Sequence, residues 1–203
     1  MEAVLCKPTG TLRIGVVETV TCGNFMNLIS SYQTLHEQVS LRIETGNTYE
    51  LMEKVKKYQL DAAFVTGDLT ATNFAIDFVQ TDEIVLLSKT ELDEASLSKQ
   101  KWALSPKGCP FRRKIEQWFQ DDEINLSYYI EISSLETILS SVKEGITATV
   151  LPKSVLTGSY EHLHVTSIPR PYQFIETGLI RRKEKYVSQA YKAFAGLVKE
   201  QGL

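Results

Sequence analysis

The chain has 203 residues, which is enough to bury a core and close to the size at which one domain gives way to two. Its 43% hydrophobic and 23% charged residues are ordinary for a soluble globular protein, and its net charge of −3 gives no general attraction to nucleic acid. The longest apolar runs, such as Ile84–Leu87, are far shorter than a membrane span, and the N-terminus lacks a signal-peptide pattern. We therefore predict a cytoplasmic protein with no membrane partner.

The first predicted unit is a strand, a turn and a helix. Residues 1–11 show no periodicity and predict a linker, after which Leu12–Val17 is a short apolar strand and Glu18–Gly23 is a polar turn. Asn24 is a candidate N-cap for a helix over Phe25–Leu35, where apolar residues recur at helical spacing.

The same order then repeats. Ser40–Glu44 alternates as a strand, Thr45–Thr48 is a turn, and Leu51–Val55 carries apolar residues at helical spacing. A third apolar strand, Ala62–Val65, ends in a Thr-Gly-Asp turn that begins at Thr66. Strands that alternate with helices of this length predict a largely parallel sheet covered on both faces.

The middle of the chain predicts a second lobe of the same kind. Phe74–Gln80 and Ile84–Ser88 are predicted as two strands, the second being a crossover between lobes. The strand and helix pattern then recurs over Lys101–Leu104, Phe111–Gln120, Tyr128–Ile132, Leu135–Lys143 and Thr147–Leu151. Gly145 is the predicted stop of the fourth of these segments.

The last part of the chain is predicted to return to the first lobe. Leu163–Ile168 would be the returning crossover, Phe174–Ile180 an edge strand and Val187–Lys199 a terminal helix. The predicted fold class is α/β, with two Rossmann-like lobes joined by two crossover strands. The predicted boundaries are a linker at 1–11, a first lobe at 12–84 and 165–203, and a second lobe at 85–164.

One turn, Ser105–Arg113, combines several features of an anion site. Pro110 suits the first helical position, because its missing N–H is one that the helix could not use. Unpaired N–H groups at that helix start, with Lys107 and Arg112 nearby, would favour a small anion. For Arg112 a surface salt bridge is an equal alternative, and the acidic Glu18 in another turn leaves room for a zwitterion or an amine.

Hydroxyl side chains recur where the predicted strands end. In open α/β sheets ligands bind outside the carboxyl ends of the strands, and hydroxyl groups can both donate and accept hydrogen bonds there. Frequent use of Ser and Thr in helix caps is the alternative explanation for any single position. The hydroxyl residues in question are Thr19, Thr21, Thr45, Thr48, Thr66, Ser105, Ser133 and Ser134.

Catalytic and metal-binding constellations are sparse. His36, His162 and His164 do not lie in a turn beside a candidate nucleophile, so we predict no enzyme. Three cysteines without metal-ligand spacing predict neither a disulfide framework nor a metal site, and we predict no cofactor. Cys22 and Cys109 lie at helix starts, which lowers a thiol pKa, and a redox switch is a secondary hypothesis.

The order and spacing of five short motifs resemble one family over Thr11–Val198. The motifs are Leu12–Val16, Leu60–Ala63, Gly108–Arg112, Glu131–Leu135 and Val142 through Gly145 to Leu151-Pro152. They are similar to the effector-binding domain of LysR-type transcriptional regulators. The resemblance implies a fold like that of type 2 periplasmic binding proteins, with an effector in the cleft between two lobes.

The resemblance also implies site residues and partners. By position in the motifs, the implied effector contacts are Thr19, Thr21, Thr45, Thr48, Thr66, Ser105, Cys109 and Arg112, to which the strand-end argument adds Ser133. A homodimer through the first helix and second strand is implied, as is a tetramer of the full-length protein. DNA would be bound only through an N-terminal helix-turn-helix that this sequence lacks, so we expect a domain separated from its regulator.

Three classes of function remain open at this stage. The first is a sensor that binds a small, carboxylate-bearing effector and controls DNA binding and transcription by the full-length protein. The second is a free-standing solute-binding protein of a transporter, against which the missing signal peptide argues. The third is an enzyme on the same scaffold, for which the turns offer no acid and base pair.

Overall fold

The computed structural model describes residues 8–69, 73–183 and 186–203, apart from the side chain of Glu94. The strands in these segments are β1 (Gly10–Val16), β2 (Val39–Thr45), β3 (Ala62–Thr66), β4 (Phe74–Ser88), β5 (Trp102–Leu104), β6 (Tyr129–Glu131), β7 (Thr149–Pro152), β8 (His164–Ser167) and β9 (Phe174–Arg182). The helices are α1 (Phe25–Leu35), α2 (Thr48–Lys56), α3 (Glu94–Leu97), α4 (Pro110–Asp121), α5 (Leu135–Lys143) and α6 (Gln189–Gln201). In these segments no helix has both the length and the apolarity that a membrane crossing requires.

The chain forms two compact units. Unit 1 contains the chain up to Gln80 together with Thr177–Leu203, and unit 2 contains Thr81–Glu176. Two strands, β4 and β9, each begin in one unit and end in the other. The predicted class, two α/β lobes joined by two crossover strands, is confirmed.

Unit 1 is built on a parallel sheet. Strand β1 pairs in parallel with β2 on one side and with β3 on the other, so that Val16 lies beside both Thr45 and Phe64. Strand β9 runs antiparallel to β3 and places Thr177 beside Thr66. Since parallel strands end at the same edge, the carboxyl ends of β1, β2 and β3 lie together.

Aromatic packing holds the helices of unit 1 on this sheet. The ring of Phe64 on β3 lies edge-on to Phe25 on α1, with centroids 5.8 Å apart, and 6.2 Å from Phe194 on α6. Tyr32 on α1 is fully buried and donates a 2.8 Å hydrogen bond to the carbonyl of Ala190. A buried phenol needs such a partner, and this one ties α1 to α6.

Unit 2 combines a small parallel sheet with an antiparallel one. Strand β5 pairs in parallel with β6, while the second half of β4 pairs antiparallel with β7 and β8. Trp102 on β5 is fully buried, lies edge-on to Phe119 on α4 at 5.0 Å, and donates to the carbonyl of Leu97. Helix α5 has the predicted bounds and stops before Gly145, whose φ of 76° favours glycine.

Several expectations about individual elements differ from the structure. Gly10 and Thr11 belong to β1, where they pair with β2, so the part of the predicted linker that is described is strand; residues 1–7, with Cys6, lie outside the described residues. Leu35 is 63% exposed, so the buried stripe of α1 ends at Tyr32. The Asn24 side chain makes no cap bond to the backbone. The two strands predicted at Phe74–Gln80 and Ile84–Ser88 are one continuous strand.

The predicted return to the first lobe is wrong in its position. Strand β8, within the predicted crossover Leu163–Ile168, pairs with the second half of β4 and therefore stays in unit 2. The return is made by β9, which lies between β3 and β4 in the strand order and is not an edge strand. The unit boundaries accordingly fall after Gln80 and Glu176, where we predicted boundaries after residues 84 and 164.

Thr166→Val is expected to raise the free energy of unfolding by about 1 kcal/mol. The Thr166 hydroxyl on β8 is buried and has no hydrogen-bond partner among the described residues, so a methyl group removes a desolvation cost. Thr149→Val is the matched comparison, because the Thr149 hydroxyl is buried but donates to the carbonyl of Ala103 at 2.9 Å. Urea unfolding of both variants checks the prediction, and a loss of stability in Thr166→Val contradicts it.

Candidate functional site

Five of the predicted effector residues lie at the carboxyl edge of the parallel strands in unit 1. We call this set the threonine edge; its members are Thr19, Thr21, Thr45, Thr48 and Thr66. Backbone bonds continue past the strand ends, from the N–H of Val17 to the carbonyl of Phe64 and from the N–H of Gly46 to the carbonyl of Val16. These bonds fix the turns that carry the threonines, so the sheet positions the edge.

Thr48 joins the start of α2 to the end of β3. Its hydroxyl donates to the carbonyl of Thr66 at 3.0 Å and accepts from the N–H of the same residue at 3.2 Å. Asn47 caps the helix with its side chain, in a capping box with Glu50. The Thr48 hydroxyl proton is therefore used within the protein, and the residue positions Thr66.

Thr66 contacts Thr177, which is not among the predicted effector residues. Thr66 is 2% exposed, and its hydroxyl oxygen lies 3.0 Å from that of Thr177 on β9. Thr177 is partly exposed, and the two residues are direct partners in the β3–β9 register. They lie 111 positions apart in the chain, and no local pattern names the strand that pairs with β3.

Thr19 is a buried residue of the edge whose hydroxyl is unused within the described residues. It lies on a short 3-10 helix, Glu18–Cys22, that follows β1, and it is 9% exposed. In the segments that the structure describes, no residue makes a hydrogen bond to its hydroxyl. Thr21, in contrast, donates to the carbonyl of Glu18 at 2.7 Å, and Thr45 is exposed at the end of β2.

The other four predicted residues, Ser105, Cys109, Arg112 and Ser133, lie in unit 2. Ser105 follows β5, Cys109 precedes α4, Arg112 is in its first turn and Ser133 follows β6. Because β5 and β6 are parallel neighbours, Ser105 and Ser133 leave the same edge of this small sheet. The structure therefore brings the predicted residues together as two sets, one in each unit.

Arg112 holds the turn after β5 in place. It is 5% exposed and donates to the carbonyl of Ser105 at 3.0 Å, to Glu131 at 2.6 Å and to Glu116 at 2.7 Å. The guanidinium also lies over the ring of Tyr129, 5.5 Å from its centroid. The hydrogen bond to Glu116, and then the one to Glu131, raise the pKa of Arg112. The contacts of Arg112 in unit 2 therefore agree with the salt-bridge alternative that the sequence left open.

The start of α4 lacks the side-chain cap that α2 and α5 have. Cys109 is the N-cap of this helix and Pro110 follows it, but the Cys109 side chain makes no cap bond. Helix α5 is capped instead by Ser134, whose hydroxyl accepts from the N–H of Thr137, while Ser133 is exposed. The first N–H groups of α4 therefore have no side-chain cap.

The remaining candidates show structural contacts or none. The ring of His36, which follows α1, lies 5.0 Å from that of Tyr32. Cys22 and Cys109 are of intermediate burial, and the sulfur of Cys22 lies 3.9 Å from the carbonyl oxygen of Glu18. Within residues 8–69, 73–183 and 186–203 no group of three or more metal-ligating side chains is present.

A surface depression of about 530 Å³ in unit 1 lies apart from the threonine edge. The residues that line it come from the middle of β1 and β2 and from the turn after α2: Arg13, Arg42, Ile43, Glu44, Gln59 and Leu60. No predicted effector residue lines it, so it adds nothing to the site argued from the strand ends.

Comparison with known proteins gives the class first. The fold matches the effector-binding domain of QuiR in complex with shikimate, with a TM-score of 0.77 at 17% identity, covering 96% of this chain and 100% of that chain. It also matches the cofactor-binding domain of the Cbl transcriptional regulator, with a TM-score of 0.77 at 14% identity over 97% of this chain and 92% of that one. The chain thus has the type 2 periplasmic-binding-protein-like fold of ligand-binding regulatory domains.

Sequence comparison then gives the family. The profile of the LysR substrate binding domain matches residues 7–203. The chain is 30% identical over 200 residues to the HTH-type transcriptional regulator CzcR of Bacillus cereus, covering 95% of this chain and 67% of the relative. It is 33% identical over 197 residues to the HTH-type transcriptional regulator SoxR of an Arthrobacter species, again with 95% and 67% covered. The chain belongs to the LysR substrate-binding domain family of transcriptional regulators.

Proposed function

We propose that this domain senses a small carboxylate-bearing effector through the hydroxyl groups at its strand ends, and that effector binding controls DNA binding and transcription by the full-length regulator. Family membership makes the domain the ligand-binding part of a LysR-type regulator. The transporter alternative loses its support, because the matched relatives are regulators. We further propose that the domain is not an enzyme and acts in the cytoplasm. We also propose that it forms a homodimer, and sedimentation velocity tests this oligomeric state.

The observation that carries the proposal is the Thr19 hydroxyl. Thr19 is 9% exposed as a residue, and the described residues offer its hydroxyl no hydrogen-bond partner, so the hydroxyl is available to a ligand. An effector oxygen is a partner that would satisfy it. The neighbouring Thr66 and Thr177 hydroxyls belong to the same edge of unit 1.

The second set supports an anionic group on the effector. The uncapped first turn of α4 and the partly exposed Ser105 are arranged by Arg112, which holds the carbonyl of Ser105. Helix N-termini of this length bind carboxylates through N–H groups and the helix dipole. We propose that Ser105 and the start of α4 contribute to effector binding, and that Arg112 contributes by positioning them.

Benzoate and shikimate are rational first probes, because structural relatives are complexes with these two carboxylates. A thermal-shift screen would compare them with other small carboxylates, amino acids and amines. A ligand at about 100 times its dissociation constant stabilises a folded state by about 2.7 kcal/mol, which corresponds to several degrees for a domain of this size. A panel in which only amines stabilise the domain would overturn the carboxylate assignment.

Thr19→Val is expected to weaken binding of the identified effector about tenfold while leaving the free energy of unfolding unchanged or slightly higher. The physical reason is that the Thr19 hydroxyl makes no bond to the described protein, so its loss affects only the effector. The matched control is Thr11→Val, on the exposed start of β1. Calorimetric titration and urea unfolding measure the two quantities; unchanged affinity would remove Thr19 from the site.

A further inference from the structure

We propose that Thr66 and Thr177 form a hydrogen-bond relay with a fixed direction, in which Thr66 donates to Thr177 and Thr177 offers its own proton to an acceptor oxygen of the effector. Thr177 then selects for a carboxylate or another oxyanion at this point of unit 1. The direction of the relay follows from the protein alone. The ligand-facing role rests on the proposed effector function.

The direction follows from counting protons. Each hydroxyl has one proton to donate and two lone pairs, and the two oxygens lie 3.0 Å apart, so one of the two protons occupies the bond between them. The other proton must point elsewhere. Which residue keeps it depends on what surrounds each hydroxyl.

The hydroxyl proton of Thr66 has no acceptor other than Thr177 among the described residues. It is 2% exposed, and Thr177 is the one described residue that its hydroxyl contacts by a hydrogen bond. If Thr177 were the donor, the Thr66 proton would be buried without an acceptor, which costs a desolvation penalty. If Thr66 is the donor, the remaining proton belongs to the partly exposed Thr177, where a ligand can accept it.

Packing on both sides holds the pair in this geometry. The N–H and carbonyl of Thr66 are both bound by the Thr48 hydroxyl, so the end of β3 is fixed to α2. On β9, Gly178 has no room for a side chain, because an added Cβ would lie 2.5 Å from Leu69 and 3.2 Å from the carbonyl oxygen of Phe78. The backbone next to Thr177 is thus closely packed, and the hydrogen bond from Thr66 leaves the Thr177 proton to point outward.

A preset outward proton selects ligand chemistry. It matches a carboxylate or sulfate oxygen, which accepts hydrogen bonds. An ammonium group, which only donates, would have to use the remaining lone pair of the Thr177 oxygen and would leave the proton unpaired. A zwitterionic effector would therefore turn its carboxylate toward Thr177. Such selection by an unpaired protein group can be strong, because the wrong ligand leaves the group unsatisfied.

Neutron diffraction from deuterium-exchanged crystals of the ligand-free domain tests the direction. We expect the hydroxyl deuterium of Thr66 to lie on the line to the Thr177 oxygen, and the deuterium of Thr177 to point away from Thr66. A Thr177 deuterium directed at Thr66 would overturn the relay. This measurement does not depend on which effector the domain binds.

Calorimetric titration with sodium benzoate, shikimate and sulfate tests the ligand-facing role. For a probe that binds the wild-type domain, Thr177→Val is expected to weaken binding about tenfold or more, since a hydrogen bond to a charged group is lost. Thr177→Ser keeps the proton and is expected to restore affinity, while Thr11→Val should change nothing. Unchanged affinity in Thr177→Val would overturn the role of Thr177.

One further variant separates this proposal from simple loss of folding. The double variant Thr66→Val/Thr177→Val removes both hydroxyls and leaves no buried donor unpaired, so it should fold even if Thr177→Val does not. It should still bind the probe as weakly as Thr177→Val. A wild-type domain that binds none of the three anions counts against the carboxylate class of the proposed function, and the neutron result then decides the relay.

Discussion

Arg112→Ala is expected to lower the free energy of unfolding of unit 2 by about 3 kcal/mol. The change removes hydrogen bonds to Glu116, Glu131 and the carbonyl of Ser105, and it opens a space under Tyr129. Glu116 and Glu131 are themselves 45% and 51% exposed, so the freed carboxylates are hydrated and the loss stays below that of a fully buried pair.

The neighbouring Arg113 provides the matched control. It lies one position further along α4 and is exposed, so Arg113→Ala should change stability by no more than about 0.5 kcal/mol. Urea unfolding of the two variants gives the comparison. The Arg112 variant should also weaken effector binding, because the Ser105 turn loses its anchor. Equal stability of the two variants would show that the ion pairs of Arg112 contribute nothing to unit 2.

Asp77→Ala is expected to cost about 3 kcal/mol in unit 1, because it leaves two polar groups without their partner. The Asp77 carboxylate on β4 accepts from Arg181 on β9 and from the hydroxyl of Tyr191 on α6, each at 2.7 Å. Tyr191 is 4% exposed, and its burial, followed by the bond to Asp77, raises its pKa. Asp77 and Arg181 are about a fifth exposed, which keeps the estimate below the upper end for buried pairs.

Two variants separate the contributions of these contacts. Asp77→Asn retains an oxygen that can accept from Tyr191 but loses the charge, so we expect an intermediate loss of stability. Glu176→Ala, an exposed carboxylate on β9, is the control and should be nearly neutral. Denaturant unfolding measures all three. If Asp77→Ala matched Glu176→Ala, the network between β4, β9 and α6 would have no net stabilising effect.

The helices near the site were predictable because their signals are local. Helix α5 begins after a Ser cap and ends before a glycine with positive φ, and both signals lie within a few residues of the helix. The same holds for α4, whose Pro110 marks the first turn. Local hydrogen bonding and periodicity decide such bounds, so Leu135–Lys143 was predicted to the residue.

Strand continuity and strand pairing are features that local sequence signals did not predict. Thr81–Glu83 is polar, and the sequence analysis treated it as a break, but pairing of β4 on both sides of it keeps the strand continuous. The apolar alternation of β8 looked like a return to the first lobe, whereas its partner is the second half of β4. A strand pattern shows which face is buried and does not name the neighbouring strand.

The candidate site also has features that the sequence predicts and features that it does not. That hydroxyls follow the strands was visible in the sequence, because strand ends and turns are local features. Which hydroxyls are used up was not visible: Thr48 is bound to Thr66, Thr21 to Glu18, and Thr19 to none of the described residues. Arg112 was predicted as an effector contact, and its observed partners make it a positioning residue in our proposal.

The sequence by itself determined the fold class, the family resemblance, most helix bounds and the strand ends at which candidate ligand groups stand, because periodicity, capping and turn chemistry act over a few residues. Only the tertiary structure decided which strand carries the chain back to unit 1, and which strand pairs with β3, so that Thr66 and Thr177 meet across 111 positions. The reason is physical: hydrogen-bond satisfaction of a buried hydroxyl depends on whatever residue the fold places beside it, and no local pattern specifies that residue.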